Sequence, residues 1–136
     1  DPGALVVEVA HQLGLQVRPL VGPNSILLAL MGSGFNGQSF AFNGYLPIKD
    51  DERAKKLRSL EREALQKKQT QIFMETPYRN NQMLTAIVNN LNQNTRLCIA
   101  ADITSETEFI KTQSIEAWKR KGLPDLNKRP AIFLIY

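Results

Sequence analysis

The stretch Thr70-Gln71-Ile72-Phe73-Met74-Glu75-Thr76-Pro77-Tyr78-Arg79-Asn80 reads as a buried strand that ends in a polar turn and runs straight into a helix. Ile72, Phe73 and Met74 form the short apolar run expected of a strand covered on both faces. Thr76 then fits an N-cap, and Pro77 fits the first helical position, where its missing N–H is no loss. Beyond it, Met83, Leu84, Ile87, Val88 and Leu91 recur on one helical face. This junction places Glu75, Tyr78 and Arg79 at the carboxyl end of the strand, the usual ligand-binding edge of open α/β sheets. A capped turn whose charges merely face water explains the same spacing, and both readings stand at this point.

Working outward, Thr95-Arg96-Leu97-Cys98-Ile99-Ala100-Ala101-Asp102 is the next strand and ends in an acid. Glu108–Thr112 alternates like an exposed strand, Ser114 caps a short helix with Ile115, Ala117 and Trp118 inward, and Gly122 and Pro124 stop it. Arg129–Tyr136 is a final apolar strand. In the other direction, Asp50 to about Lys68 is a long charged helix with an inner stripe of Ala54, Leu57, Glu61, Ala64 and Leu65. Its five acids offset seven bases, and pairs such as Glu52–Lys56 fit i,i+4 spacing. Ser39–Phe42 reads as a strand followed by the turn Asn43-Gly44-Tyr45-Leu46-Pro47. Ile26–Met31 reads as a helix apolar all round and hence buried. Gln16–Val21 reads as a short strand with Pro19 marking an edge, and Leu5, Val6, Val9, Ala10 and Leu13 form a helical stripe ended by Gly14. Strands and helices alternate, which argues an α/β domain with a mixed sheet flanked by helices.

Composition narrows the function classes. The 136 residues suffice for one domain with a real core, and 43% hydrophobic with 22% charged residues is ordinary for a globular chain. No run approaches the ~20 apolar residues of a membrane span, and no signal-peptide pattern is present. One histidine and one cysteine do not build a usual zinc site, so no metal is expected. Cys98 sits within an apolar run, as a buried small hydrophobe of a reducing, cytoplasmic setting does. His11 falls on the polar side of its helix and offers no Cys–His pair. Gly32-Ser33-Gly34-Phe35-Asn36-Gly37 matches a dinucleotide fingerprint letter by letter. However, it follows a helix and precedes a strand, the reverse of the order that brings a pyrophosphate to a helix N-terminus. The net charge of +4 is concentrated near the C-terminus: Lys111, Lys119, Arg120, Lys121, Lys128 and Arg129 face only Glu116 and Asp125. Such a face meets phosphates or simply water.

Read together, several segments resemble the tetrapyrrole methylase superfamily of S-adenosylmethionine-dependent methyltransferases. They are Asp1-Pro2-Gly3, Pro19–Ser25, Phe42–Pro47, Phe73–Arg79 and Ala100–Glu108. The Gly-Tyr-Leu-Pro and Glu-Thr-Pro-Tyr-Arg segments resemble the branch that methylates a cytidine ribose 2′-hydroxyl of small-subunit ribosomal RNA, rather than the corrin or porphyrin methylases. The resemblance implies two α/β domains with the donor in the cleft between them, usually in a homodimer. On that pattern residues 1–34 are the tail of an N-terminal domain and the interdomain connection, and 35–136 form the C-terminal α/β domain. The chain is then expected to be a C-terminal fragment lacking half of its cofactor site.

By similarity, contacts to S-adenosylmethionine fall on Asp1, Ala4, Ser25, Ile26, Met74, Ala101, Asp102 and Ala131. Ile26, Met74 and Ala131 supply apolar wall and Ser25 a hydroxyl, as small-molecule pockets require; core packing explains Ile26 and Met74 equally well. Glu75 and Asp102 are candidate bases for a ribose hydroxyl, with Arg79 holding a phosphate or pairing with Glu75. Where the RNA branch typically carries a basic residue and a glutamate, this chain has Ala101, Asp102 and Ser105. Tyr78 stands where histidine is usual. Three functions follow: an RNA methyltransferase, a tetrapyrrole methyltransferase, and a dimerisation or binding module without catalysis of its own.

Overall fold

The computed structural model describes residues 2–136; Asp1 lies outside them. Its helices are α1 (Pro2–Gln12), α2 (Ser25–Ser33), α3 (Asp50–Lys67), α4 (Asn80–Asn90) and α5 (Ile115–Lys121). Its strands are β1 (Phe40–Tyr45), β2 (Thr70–Met74), β3 (Arg96–Ala101), β4 (Phe109–Ser114) and β5 (Ala131–Ile135). The sheet runs in the order β1-β2-β5-β3-β4. β1 lies parallel to β2, and β5 sits antiparallel between β2 and β3, which itself pairs antiparallel with β4. One edge of the sheet therefore gathers the ends of β1, β2 and β3 with the starts of β4 and β5. That edge is the upper rim.

Alternation of side chains along the central strands divides the core in two. Phe73, Leu97, Ile99, Phe133 and Ile135 face α3, α4 and α5, which bring Leu57, Leu60, Met83, Leu84, Ile87 and Trp118 onto them. Fully buried aliphatic and aromatic side chains contribute about 1.5–3 kcal/mol each, so this larger cluster dominates stability. Trp118 also donates its indole N–H to the Leu97 carbonyl at 3.0 Å. On the other face, Ile72, Cys98, Ala100, Ile132 and Leu134 cluster with Ala29 and Leu30 of α2, with Ile26, Phe35, Met74, Ile103 and Ile110 at the margin.

Several sequence expectations are corrected. Residues 16–21 form no strand and lie exposed. A ladder needs a partner, and among the described residues none runs alongside. The α1 stripe is exposed rather than packed, with no buried residue in that helix. α2 is not buried all round: Ala29 and Leu30 turn inward, while Met31 is 79% exposed. β1 continues through the expected turn to Tyr45, because Gly44 adopts φ +64° and absorbs a bulge between Phe42 and Tyr45. The bulge restores Tyr45 to the face of Phe42 and Met74. In α3 the inner stripe is Arg53, Leu57, Leu60 and Ala64, whereas Leu65 points to solvent. Lys49–Glu52 and Glu63–Lys67 form ion pairs there instead of Glu52–Lys56.

Candidate functional site

Two strand ends carry the polar chemistry of the rim. At the first, Pro77 opens a 3-10 turn, Pro77–Arg79, and α4 begins only at Asn80. Thr76 makes no side-chain cap. Instead, Oε1 of Glu75 accepts the Thr76 N–H at 2.6 Å and the Arg79 guanidinium at 2.9 Å. The Glu75 side chain is 1% exposed. Burial by itself pushes its carboxyl up, but the Arg79 and Thr76 hydrogen bonds and the Arg79 charge together hold it below the ordinary value. Among the described residues, Oε2 of Glu75, Nε of Arg79 and Oδ1 of Asn80 are buried without a hydrogen-bond partner. Three such atoms in one turn set this junction apart, since buried polar atoms are nearly always paired.

At the second strand end, Oδ2 of Asp102 accepts Nε–H of Arg129 at 2.7 Å and the Thr107 hydroxyl at 3.1 Å. The Arg129 hydrogen bond is the main reason its carboxyl lies below the ordinary range, with Thr107 and the Arg129 charge adding to it against partial burial. Arg129 also donates to the Thr107 carbonyl at 2.9 Å.

The 125–130 segment joins the two ends. Asn80 Nδ2 donates to the Arg129 carbonyl at 2.6 Å, Lys128 N–H to the Pro77 carbonyl at 3.1 Å, and Asp102 N–H to the Pro130 carbonyl at 2.9 Å. Asn81 holds Asp125 and the Leu126 N–H, both at 2.8 Å. Asp102, Thr104 and Lys128 adopt positive φ, at 50°, 69° and 61°. Non-glycine residues rarely do so, and backbone strain of this kind gathers at functional sites.

A hollow of 280 Å³ lies at the rim, lined by Ser25, Ala100, Asp102, Ile103, Ser105, Pro130, Ala131 and Ile132. Three of the expected donor contacts, Ser25, Asp102 and Ala131, thus share one cavity. Met74 pairs with Ile132 in the sheet register, and Ile26 packs on the same apolar cluster; both sit beside the hollow without lining it. Ala101 turns to the opposite, helix-covered core. Ala4 lies exposed on α1 and does not line the hollow, and Asp1 falls outside the described residues. Arg129, Thr107, Asn80 and Asn81 escaped sequence reasoning. Their only sequence signal is polarity next to a strand end, and their partners stand 5 to 49 residues away along the chain.

No family model matches the chain. The ribosomal RNA small subunit methyltransferase I of Buchnera aphidicola subsp. Schizaphis graminum is 30% identical over 138 residues, covering 99% of this chain and 47% of that protein. The protein of the same name from Bacillus subtilis is 38% identical over 113 residues, covering 82% of this chain and 37% of its own length. Among solved structures, the methyltransferase CobJ superposes with TM-score 0.55 at 18% identity, covering 98% of this chain and 55% of that one. The chain is thus similar in sequence to ribosomal RNA small subunit methyltransferases I and shares the fold of the methyltransferase CobJ. It spans about half the length of the curated relatives it matches. Cobalt precorrin-4 methyltransferase CbiF has the same fold, with TM-score 0.53, 12% identity and 98% of this chain covered against 58% of its own. Both likenesses establish the α/β architecture with its mixed sheet. Among the described residues no helix is long and apolar enough to cross a membrane, and no group of acids, cysteines or histidine is placed to hold a metal.

Proposed function

We propose that this chain is the C-terminal part of an S-adenosylmethionine-dependent methyltransferase acting on the ribose 2′-hydroxyl of ribosomal RNA. The observation that supports it best is the convergence of Ser25, Asp102 and Ala131 on one hollow at the sheet's upper rim. The likeness to ribosomal RNA small subunit methyltransferases I supports RNA as the acceptor. The hollow's 280 Å³ falls below the roughly 300–1,000 Å³ of ligand pockets, which fits part of a donor rather than a whole one. We accordingly assign residues 1–34 to the tail of an N-terminal domain and its connection, and 35–136 to the C-terminal domain. The unburied apolar stripe of α1 supports this assignment and supports assembly as a homodimer.

When bound, the donor supplies a methyl group made electrophilic by its sulfonium. Ala131, Ala100 and Ile132 exclude water from their side of the hollow, and the Ser25 hydroxyl offers it a polar partner. Oδ1 of Asp102 makes no hydrogen bond among the described residues, so it can accept the proton of a ribose hydroxyl. Glu75 and Arg79 neutralise each other and hold the β2 end in place. With both carboxyls below the ordinary range, each is a weak base at neutral pH. Alignment of acceptor and methyl then supplies most of the acceleration.

Fold likeness does not choose between acceptors. The test is methyl transfer from labelled donor by the intact protein, offered small ribosomal subunits and a tetrapyrrole side by side. Labelled RNA is expected; a labelled macrocycle alone overturns the proposal. The isolated 136 residues are expected not to bind the donor tightly, and micromolar binding by them refutes the divided site.

A further inference from the structure

The hollow has an outer rim of a different character. Tyr78 is 75% exposed in the 3-10 turn, and Tyr45, exposed at the end of neighbouring β1, lies near enough to influence the Arg79 charge. Lys128 is exposed, is held at φ +61°, and is tied by its N–H to the carbonyl of Pro77, immediately before Tyr78. α5 starts at the opposite edge of the sheet, where the N–H groups of Ile115 and Glu116 meet the carbonyls of Thr95 and Gln93. It turns back along the helix-covered face of the sheet for seven residues, about 10 Å, and ends in Lys119, Arg120 and Lys121. Among the described residues, none of these three nor Lys128 has an ion-pair partner. Of the nearby acids, Asp102 is bonded to Arg129, Glu75 to Arg79 and Asp125 to Asn81, and Glu116 sits in the first turn of α5.

We propose that this arc, from the last turn of α5 through Lys128 to Tyr78, is the binding track for a single-stranded segment of the acceptor RNA. Lys128 takes a backbone phosphate and Tyr78 stacks on a base beside the reacting nucleotide. Unpaired cations along a track and an exposed ring at its end are what single-strand binding requires. Cations spread over two elements suit a chain of phosphates better than one compact ring. The strained Lys128 backbone fixes where its ammonium departs from the rim. This proposal rests on the RNA reading above and deepens it.

The test uses the full chain and a fluorescein-labelled oligocytidylate of about twelve nucleotides, within the span such grooves cover. Anisotropy is followed over a salt series. Tyr78→Ala is expected to weaken binding about tenfold, while Tyr78→Phe keeps most of it. Lys128→Gln is expected to reduce the slope of log affinity against log salt by about 0.7, one phosphate's share for a single strand. Lys55→Ala on α3 serves as the control and leaves both unchanged. Melting temperatures of all variants verify folding. If wild type binds the oligonucleotide but Tyr78→Ala and Lys128→Gln match it, the track is refuted and the RNA reading survives. If wild type binds no RNA, both fall. If the variants lose only binding of a carboxylated porphyrin, the surface serves a macrocycle and the track is overturned.

Discussion

Asn80 offers the sharpest test of how the two strand ends are coupled. It is fully buried, and its amide donates to the Arg129 carbonyl at 2.6 Å. Asn80→Ala removes that donor and leaves the carbonyl without a partner, a loss of about 1–3 kcal/mol for a buried group. Two effects offset it. The variant also deletes Oδ1 of Asn80, which has no partner, and alanine is the better helix former by up to ~0.7 kcal/mol at the start of α4. The net expectation is a loss of about 1–2 kcal/mol. With an unfolding entropy of about 2.1 cal/mol/K per residue over 136 residues, that lowers Tm by roughly 3–7 °C. Asn80→Asp sharpens the argument. Its buried carboxylate cannot donate and faces a carbonyl, so its folded pKa is raised. The penalty is absent below the unfolded value of about 3.9 and grows as pH rises through it. Urea melts at neutral pH and near pH 4 measure both effects. An Asn80→Ala protein within about 0.3 kcal/mol of wild type, or an Asn80→Asp deficit that does not vary with pH, refutes the pinning of the 125–130 segment.

Two further outcomes follow from the same geometry. Asp102 has a folded pKa lowered chiefly by Arg129, so its contribution is present above about pH 3.9 and is lost as pH falls through the folded value. Asp102→Asn is therefore expected to flatten the acid limb of the stability profile; superimposable profiles for the two proteins below pH 4 contradict the ion pair. Cys98 is fully buried and its thiol is pushed up by burial, so a disulfide reagent at about pH 8 is expected to label it only after denaturant is added. Rapid labelling of the native chain excludes its place in the sheet.

The central strands were legible because their apolar runs leave little choice. Ile72–Met74, Leu97–Ala101 and Ile132–Ile135 are β2, β3 and β5, and the periodic Met83, Leu84, Ile87 and Val88 are the buried face of α4. Gly32–Gly37 was correctly refused as a phosphate loop, since it stops α2 before β1. The site was half legible. Three of the expected donor contacts line the hollow: Asp102 and Ala131 inherit their place from the easily read β3 and β5, and Ser25 from the start of α2. Gln16–Val21, interrupted by Arg18 and Pro19, failed as a strand, and Thr76 failed as a cap: its side chain takes no N–H of the 3-10 turn it heads.

What the sequence determined by itself is whatever depends on near neighbours: hydrophobic period, strand and helix identity, the burial of Cys98 within its apolar run. What only the tertiary structure decided is which ends meet. Burying β5 between β2 and β3 carries Arg129 to Asp102 and Asn80 to the Arg129 carbonyl, across 27 and 49 residues. Those bonds depend on strand order, and no local pattern encodes strand order. A polar side chain next to a strand end looks the same in the sequence whether it meets water or an ion-pair partner, and only the packed sheet chooses between them.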